Sequence, residues 1–266
     1  MIRSCAYRAA MANAEGTLAG RTAIVAGGGQ GIGRGVALAL ASAGASVVVG
    51  DLKAPKAEAV ATEIAGRGVG ALGVACDVRD TAAIAATVAV TLERFGGLDI
   101  LVNAAIAPFK VQPLEDCTED VMLDMLHSGL VGVTTFMQAA FPHLRDSGHG
   151  RIINFGSGAG VNGAAGYGVY APVKEGVRAI TRVASHEWGK HGITANAICP
   201  YANSPSWSKW SDDNPGMADL AVSTTSVGRI GDCELDIGAA AVFLAGDAAS
   251  YITGHTLMVD GGQSHL

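Results

Sequence analysis

The sequence predicts an α/β fold: one doubly wound parallel sheet of about seven strands, with helices on both faces. Three observations carry this. Short apolar, β-branched runs alternate with longer helical stretches along most of the 266 residues. The runs are apolar at successive positions, as expected of strands covered on both faces in a parallel sheet. Hydrophobic residues make up 49% of the chain, with 37 glycines and only 5% aromatics, enough for a sizeable core with many close turns.

The elements follow in order. RTAIVAGGG (21–29) reads as a strand ending in glycines, and IGRGVALALASAG (32–44) as a helix with a glycine stop. ASVVVGD (45–51) is a second strand, 55–68 a helix, and VGALGVACDV (69–78) a third strand. A helix over 81–96 leads to the strand LDILVNAA (98–105), and a long helix lies within 118–146. GRIINFGS (150–157) is a strand, 168–190 a helix and ITANAICP (193–200) a strand. Residues 201–226 break the rhythm. They are polar, proline-bearing and long for a connection, which suggests a mobile segment or short helices over a site. A helix within 234–251 and the strand HTLMVDGG (255–262) close the pattern, with no repeat and no linker.

Composition removes several function classes. The formal net charge is −6 and no long basic run occurs, which argues against a nucleic-acid partner. No uninterrupted apolar run is long enough to span a membrane. Five scattered cysteines without a CxxC, and histidines without an HExxH, argue against a disulfide framework and a metal site. A reducing, cytoplasmic setting is expected. Residues 1–17, with Arg3 and Arg8 but no long apolar run, read as a disordered leader, not a signal peptide.

Two glycine-rich loops compete for a phosphate-binding role. GSGAGVNG (156–163) contains the letters GxGxxG, yet the strand after it ends AICP, without an acid. AGGGQGIGRG (26–35) follows the first strand and enters a helix, and the next strand ends in Asp51, 20 residues after Gly31. A carboxylate there accepts hydrogen bonds from both ribose hydroxyls of an adenosine, while glycines let the backbone approach a pyrophosphate at a helix N-terminus. The first loop is therefore the dinucleotide site of a Rossmann-like domain spanning 18–266. The charge of Asp51 opposes a 2′-phosphate, so NAD is the expected cofactor, with Asp77 placed for the adenine end.

Tyr170 and Lys174 stand four apart, on one face of a helix. A lysine charge beside a phenol lowers its pKa and fits it to exchange a proton with a carbonyl or alcohol oxygen near neutral pH. Lys174 can also reach a cofactor ribose. Ser157, at the end of the preceding strand, can hold the substrate oxygen against the tyrosine. Pro172 is tolerated only in a first helical turn, so the helix starts close to Tyr170. Tyr167, seven residues before Lys174, is better placed as a pocket wall.

Together these residues resemble the short-chain dehydrogenase/reductase family over about residues 18 to 262. Its Thr-Gly-x-x-x-Gly-x-Gly matches Gly27, Gly31 and Gly33, with Ala26 in place of the threonine. Its Tyr-x-x-x-Lys matches Tyr170 and Lys174, and its serine, thirteen residues earlier, matches Ser157. The segment 228–262 is also similar to the family's C-terminal region. The resemblance implies reversible hydride transfer between a nicotinamide and a carbonyl or secondary alcohol, and a homotetramer. The catalytic residues it implies are Ser157, Tyr170 and Lys174. For the cofactor it implies Gly27, Gln30, Gly31, Ile32, Gly33, Asp51, Leu52, Asp77, Val78, Asn103, Ala105 and Pro200, with Tyr170 and Lys174 shared.

Three departures stand out. The family's Asn-Asn-Ala-Gly appears as NAAI, with Ala104 and Ile106 as the changes; Ile106 adds bulk on the nicotinamide side. Gly129 falls where the family carries a catalytic asparagine that places a water linking the lysine to solvent. His127 and Ser128 are candidate replacements, and a retuned proton relay is expected. In CPYANSP (199–205), Tyr201 replaces a glycine, and Ser204 or Pro205 falls near a threonine that touches the carboxamide.

Trp207, Trp210 and Met217 lie in the irregular segment, beyond the strand ends where ligands bind in such sheets. With Ile106, Tyr167 and Tyr201 they suggest a hydrophobic or cyclic substrate; alternatively they pack the segment down or meet another subunit. Two other functions stay open: a nucleotide-binding regulatory or scaffold protein with weak or no turnover, and an NADPH-linked acyl ketoreductase, which Asp51 disfavours.

Overall fold

The computed structural model of the protein describes residues 16–264. The expected leader at 1–17 lies, save its last two residues, outside the described residues. Seven parallel strands form one sheet: β1 (Thr22–Ala26), β2 (Ser46–Asp51), β3 (Ala71–Ala75), β4 (Ile100–Asn103), β5 (Arg151–Phe155), β6 (Thr194–Pro200) and β7 (Thr256–Val259). Their order is β3-β2-β1-β4-β5-β6-β7. The order reverses direction between β1 and β4, which opens a crevice beyond their C-terminal ends.

The helices α1 (Gly31–Ser42), α2 (Ala54–Ala65) and α3 (Thr81–Phe95) connect the first four strands. Asp80 caps α3 by accepting from the Ala82 N–H at 2.8 Å, and Gly96 ends it in the left-handed region at φ 79°. The long helix expected within 118–146 is two helices, α4 (Glu119–Leu126) and α5 (Gly132–Asp146), joined by a π-turn over His127–Val131. Ser157 stands beyond the end of β5, not within the strand, and N-caps the short helix α6 (Gly158–Val161). Helix α7 (Tyr170–Trp188) starts at Tyr170, with Pro172 in its first turn. The irregular segment contains α8 (Pro205–Asp213) and α9 (Pro215–Ser223), neither of which buries any residue. A second π-turn, Cys233–Gly238, leads into α10 (Ala239–Ala245).

The expected strands overrun the observed ones by a few residues because their apolar runs continue into turns. Gly27, at φ 78°, has already left β1. Within each strand, neighbouring side chains go to opposite faces. Val25, Val47 and Ile100 join the core on one side of the sheet, with Val36 and Leu38 of α1. Ile24, Val48 and Leu101 join the other, with Phe136 and Met137 of α5. A third, smaller cluster around Met125, Val169 and Val173 takes in Ile106, Phe109 and Tyr170 at the C-terminal end of the sheet.

One polar thread crosses the buried centre. The Asn103 amide donates to Asn154 Oδ1 at 2.8 Å, and the Asn154 amide donates to Thr181 Oγ1 at 2.9 Å. Asn103 is buried. Its side-chain amide thus links β4 to β5 and, through Asn154, to α7.

Candidate active site

The loop between β1 and α1 is shaped by absent β-carbons. One at Gly33 would lie 2.1 Å from the Gly27 carbonyl oxygen, and one at Gly27 would lie 2.5 Å from the Ala105 nitrogen. The loop therefore packs against the end of β4 as closely as backbone allows. The Gly27 and Gly28 N–H groups donate to the Gly50 carbonyl at 2.7 and 3.0 Å, which ties the loop to β2. Gln30 is the extended N-cap residue of α1, and Ile32 follows in its first turn. This bare backbone before a helix N-terminus fits a dinucleotide's pyrophosphate.

Asp51 ends β2 beside this loop. Its Oδ2 accepts from the Gly29 N–H at 3.1 Å and its Oδ1 from the Lys53 N–H at 3.0 Å. Both carboxylate oxygens are thereby held in place by backbone donors. Leu52 next to it is exposed. Asp77 is gripped by Arg79, which holds its carboxyl below the usual carboxylate range and also reaches Asp124 of α4 at 2.8 Å. Val78 presents its carbonyl to Gly132, where a β-carbon would lie 2.5 Å away. Ala105 packs on Gly27, and Pro200 ends β6 opposite Val259.

Ser157, Tyr170 and Lys174 meet at the C-terminal end of β5. The Tyr167 carbonyl accepts from both the Tyr170 and Ala171 N–H groups, at 3.0 and 2.8 Å, so a tight turn delivers Tyr170 to the start of α7. The Ser157 hydroxyl lies close enough to the Tyr170 phenol to favour its ionised form. The Lys174 ammonium lies 5.5 Å from the centre of the Tyr170 ring and donates to the Phe155 carbonyl at 2.9 Å.

The electrostatics differ from the sequence expectation. The spacing predicts a phenol pKa lowered by the lysine; instead burial pushes the Tyr170 phenol up to about 12, with the nearby Ser157 hydroxyl opposing it. Burial also pulls Lys174 down to about 8. The i, i+4 spacing does place both groups on one side of α7, but the ammonium turns toward β5 rather than bonding the phenol.

Phe109 is a neighbour that sequence reasoning missed. Its ring stacks on Tyr170 with centres 4.4 Å apart at 18°, and it lies 5.6 Å from Tyr167. An aromatic in the loop after β4, at the ligand end of the sheet, was the available signal. Across the site, Tyr201 and Trp207 lie 5.2 Å apart and Trp207 and Trp210 5.1 Å apart, an aromatic stair at the base of α8. Ser204 caps α8 by accepting from the Trp207 N–H at 3.3 Å, and Pro205 faces Gly31, 3.2 Å from where its β-carbon would stand. The irregular segment thus begins directly over the glycine loop. A cavity of about 280 Å³ lined by Tyr201, Arg229, Met258 and Asp260 lies to one side and includes none of the three catalytic candidates.

Neither candidate replacement takes the place of the asparagine at 129. The Ser128 hydroxyl is buried, accepting from the Ala107 N–H at 3.1 Å and donating to the Asp124 carbonyl at 2.9 Å. His127 is exposed. Gly129 itself has no room for a side chain, because Val173 and Ile106 fill the space. Among the described residues, no cluster of His, Cys, Asp or Glu is arranged to hold a metal, and no helix is long and apolar enough to cross a membrane.

Comparison with known proteins agrees with this geometry. A family model described as enoyl-(acyl carrier protein) reductase matches residues 26–264. A 12alpha-hydroxysteroid dehydrogenase from a Clostridium species is 34% identical, over 93% of this chain and 98% of its own length. A 2,5-dichloro-2,5-cyclohexadiene-1,4-diol dehydrogenase from Sphingobium indicum is 36% identical, over 92% and 97%. The crystal structure of levodione reductase superposes with a TM-score of 0.87 at 31% identity, covering 92% of this chain and 98% of that one.

Proposed function

The chain belongs to the short-chain dehydrogenase/reductase family, and from that premise we propose that it transfers a hydride reversibly between NAD(H) and a secondary alcohol or ketone that is hydrophobic or cyclic. Membership itself makes it an oxidoreductase with NAD or NADP as cofactor. The observation that carries the finer reading is the neighbouring Ser157–Tyr170 pair beside buried Lys174, in the same crevice as the glycine loop.

The glycine loop from Gly27 to Gly33 would hold the pyrophosphate, and Asp51 the adenosine ribose. Bound there, the cofactor supplies or accepts the hydride. Ser157 orients the substrate oxygen toward Tyr170. Tyr170 gives that oxygen a proton in reduction and takes one from it in oxidation. Lys174 stands behind the phenol as the cation that steadies the charge developing on it. Asp51 favours NAD, since a 2′-phosphate there would meet a carboxylate already oriented by two N–H groups. Phe109, Tyr167, Tyr201 and Trp207 offer flat apolar walls, and the names of two relatives specify a steroid and a cyclohexadienediol. A cytoplasmic homotetramer belongs to the same proposal and is checked by light scattering.

The test is NADH formation or consumption across a panel of cyclic secondary alcohols and ketones, in the wild type and in Tyr170→Phe. Turnover by the wild type, reduced about 10²- to 10⁴-fold in the variant while NADH still binds, supports the reading. Tight NADH binding with no turnover across the panel would favour the scaffold reading. A preference for NADPH and acyl thioesters would favour the acyl ketoreductase.

A further inference from the structure

Where α7 crosses the π-turn His127–Val131, each element offers a glycine to the other's branched side chain. A β-carbon at Gly129 of the turn would lie 2.4 Å from Val173 Cγ1 and 2.9 Å from Ile106 Cδ1. A β-carbon at Gly176 of the helix would lie 2.9 Å from Leu130 Cδ2. Val173 is 0% exposed, and it directly precedes Lys174. Met125 and Val169 extend the same apolar cluster toward Tyr170.

We propose that this reciprocal lock, with Ile106 as its third member, fixes the catalytic helix and seals the approach to Lys174 from the π-turn, so that the lysine exchanges its proton only through the crevice holding Ser157 and Tyr170. The proposal rests on reading Tyr170 and Lys174 as the acid–base pair. Val173 and Gly129 are positioning residues: they touch neither substrate nor cofactor and act through Lys174.

The physical basis is that a side chain cannot occupy a volume already filled to contact distance. Glycine at 129 is therefore not a side chain lost from a relay but a socket that admits Val173. The groups facing Lys174 are few. They are the Tyr170 phenol on its own helix, the Cys199 thiol from β6 and the Phe155 carbonyl from β5. The turn brings Gly129 against α7 while His127 stays exposed, so this side faces the lysine's helix with hydrocarbon. Burial is the leading reason that Lys174 holds its proton less firmly than usual.

The experiment compares Gly129→Ala, Val173→Ala and the double variant. Val173→Ala removes the methyls that fill the socket and lets water approach the lysine. Two readouts follow: the pH dependence of kcat/KM, and the pH dependence of urea stability of the nucleotide-free protein. In Val173→Ala the limb of kcat/KM assigned to Lys174 moves up by on the order of one pH unit as the desolvation is relieved. The change in stability between pH 8 and 10.5 shrinks in parallel, because the lysine returns toward its ordinary 10.5. In the double variant the new methyl at 129 refills the vacated space and both readouts return toward wild type. If Val173→Ala lowers the melting temperature but leaves both pH readouts as in wild type, the lock is only structural and the proposal falls. It also falls if the double variant is no better than the two single changes added together. Should Gly129→Ala fail to fold, Val173→Ala and the double variant still decide. Should the wild type turn over nothing, the functional reading fails, while the stability readout still judges the lock.

Discussion

The ammonium of Lys174 and the carbonyl of Phe155, 2.9 Å apart, join the catalytic helix to the end of β5 inside the protein. The lysine is 5% exposed, and burial pulls its pKa from an ordinary 10.5 to about 8. Between those values the unfolded chain binds a proton that the folded chain does not. Stability therefore rises with pH across that window, by on the order of 3 kcal/mol in all. Lys174→Met removes this rise and lowers kcat by about 10²-fold or more. Urea titrations from pH 7 to above 10, with steady-state rates alongside, check both. Tyr170 acts in the opposite sense at higher pH: its proton is held to about 12 when folded but only to 10.0 when unfolded, so stability declines over that range.

Asp51 accepts two backbone N–H groups at the mouth of the nucleotide crevice. Asp51→Asn keeps the size but removes the charge. Charge-assisted hydrogen bonds of this kind contribute about 1.5–3 kcal/mol each, so NAD binding should weaken roughly tenfold or more. NADP binding should weaken less or improve, because the repulsion of its 2′-phosphate is gone. Fluorescence titration with both reduced cofactors gives the ratio; equal losses for the two would remove Asp51 as the discriminator.

Phe109 covers the Tyr170 ring. Phe109→Ala removes a stacked pair contributing about 0.5–1.5 kcal/mol beyond its buried area and exposes one face of the phenol to water. The Tyr170 pKa should fall toward its ordinary value, measured as a lower midpoint in an ultraviolet phenolate titration. KM for ring-bearing substrates should rise while KM for small acyclic alcohols stays put. A uniform rise would assign Phe109 to packing alone.

Asn103→Ala leaves Asn154 Oδ1 without its donor in the centre of the sheet. An unpaired buried acceptor costs about 1–3 kcal/mol, so the urea midpoint should drop with nucleotide affinity unchanged. The reverse result, lost affinity at unchanged stability, would assign Asn103 to the cofactor site.

Much of this arrangement is local in the chain and so was readable from it. Alternating apolar runs place the strands, and the spacing from Gly31 to Asp51 places one turn beside the next strand's end. Pro172 marks the first turn of α7 because its ring is compatible only with that place. What escaped reading depends on contacts between distant segments. Ile106, Gly129 and Val173 converge from a loop, a turn and a helix, and no local pattern announces them. The same holds for the direction of the Lys174 side chain. Spacing puts it near Tyr170, but a carbonyl from β5 decides where its proton points.

No side chain of α8 or α9 is fully buried, while the strands and α7 that carry the glycine loop and Tyr170 are packed tightly. Substitutions on α8 and α9 therefore meet little resistance from folding, whereas the hydride-handling apparatus beneath them tolerates few. The fold thus leaves these two helices freer to change than the sheet and α7 beneath them. A lineage, or a laboratory selection, can exchange side chains at positions such as Met217 and Leu220 at little cost to the fold.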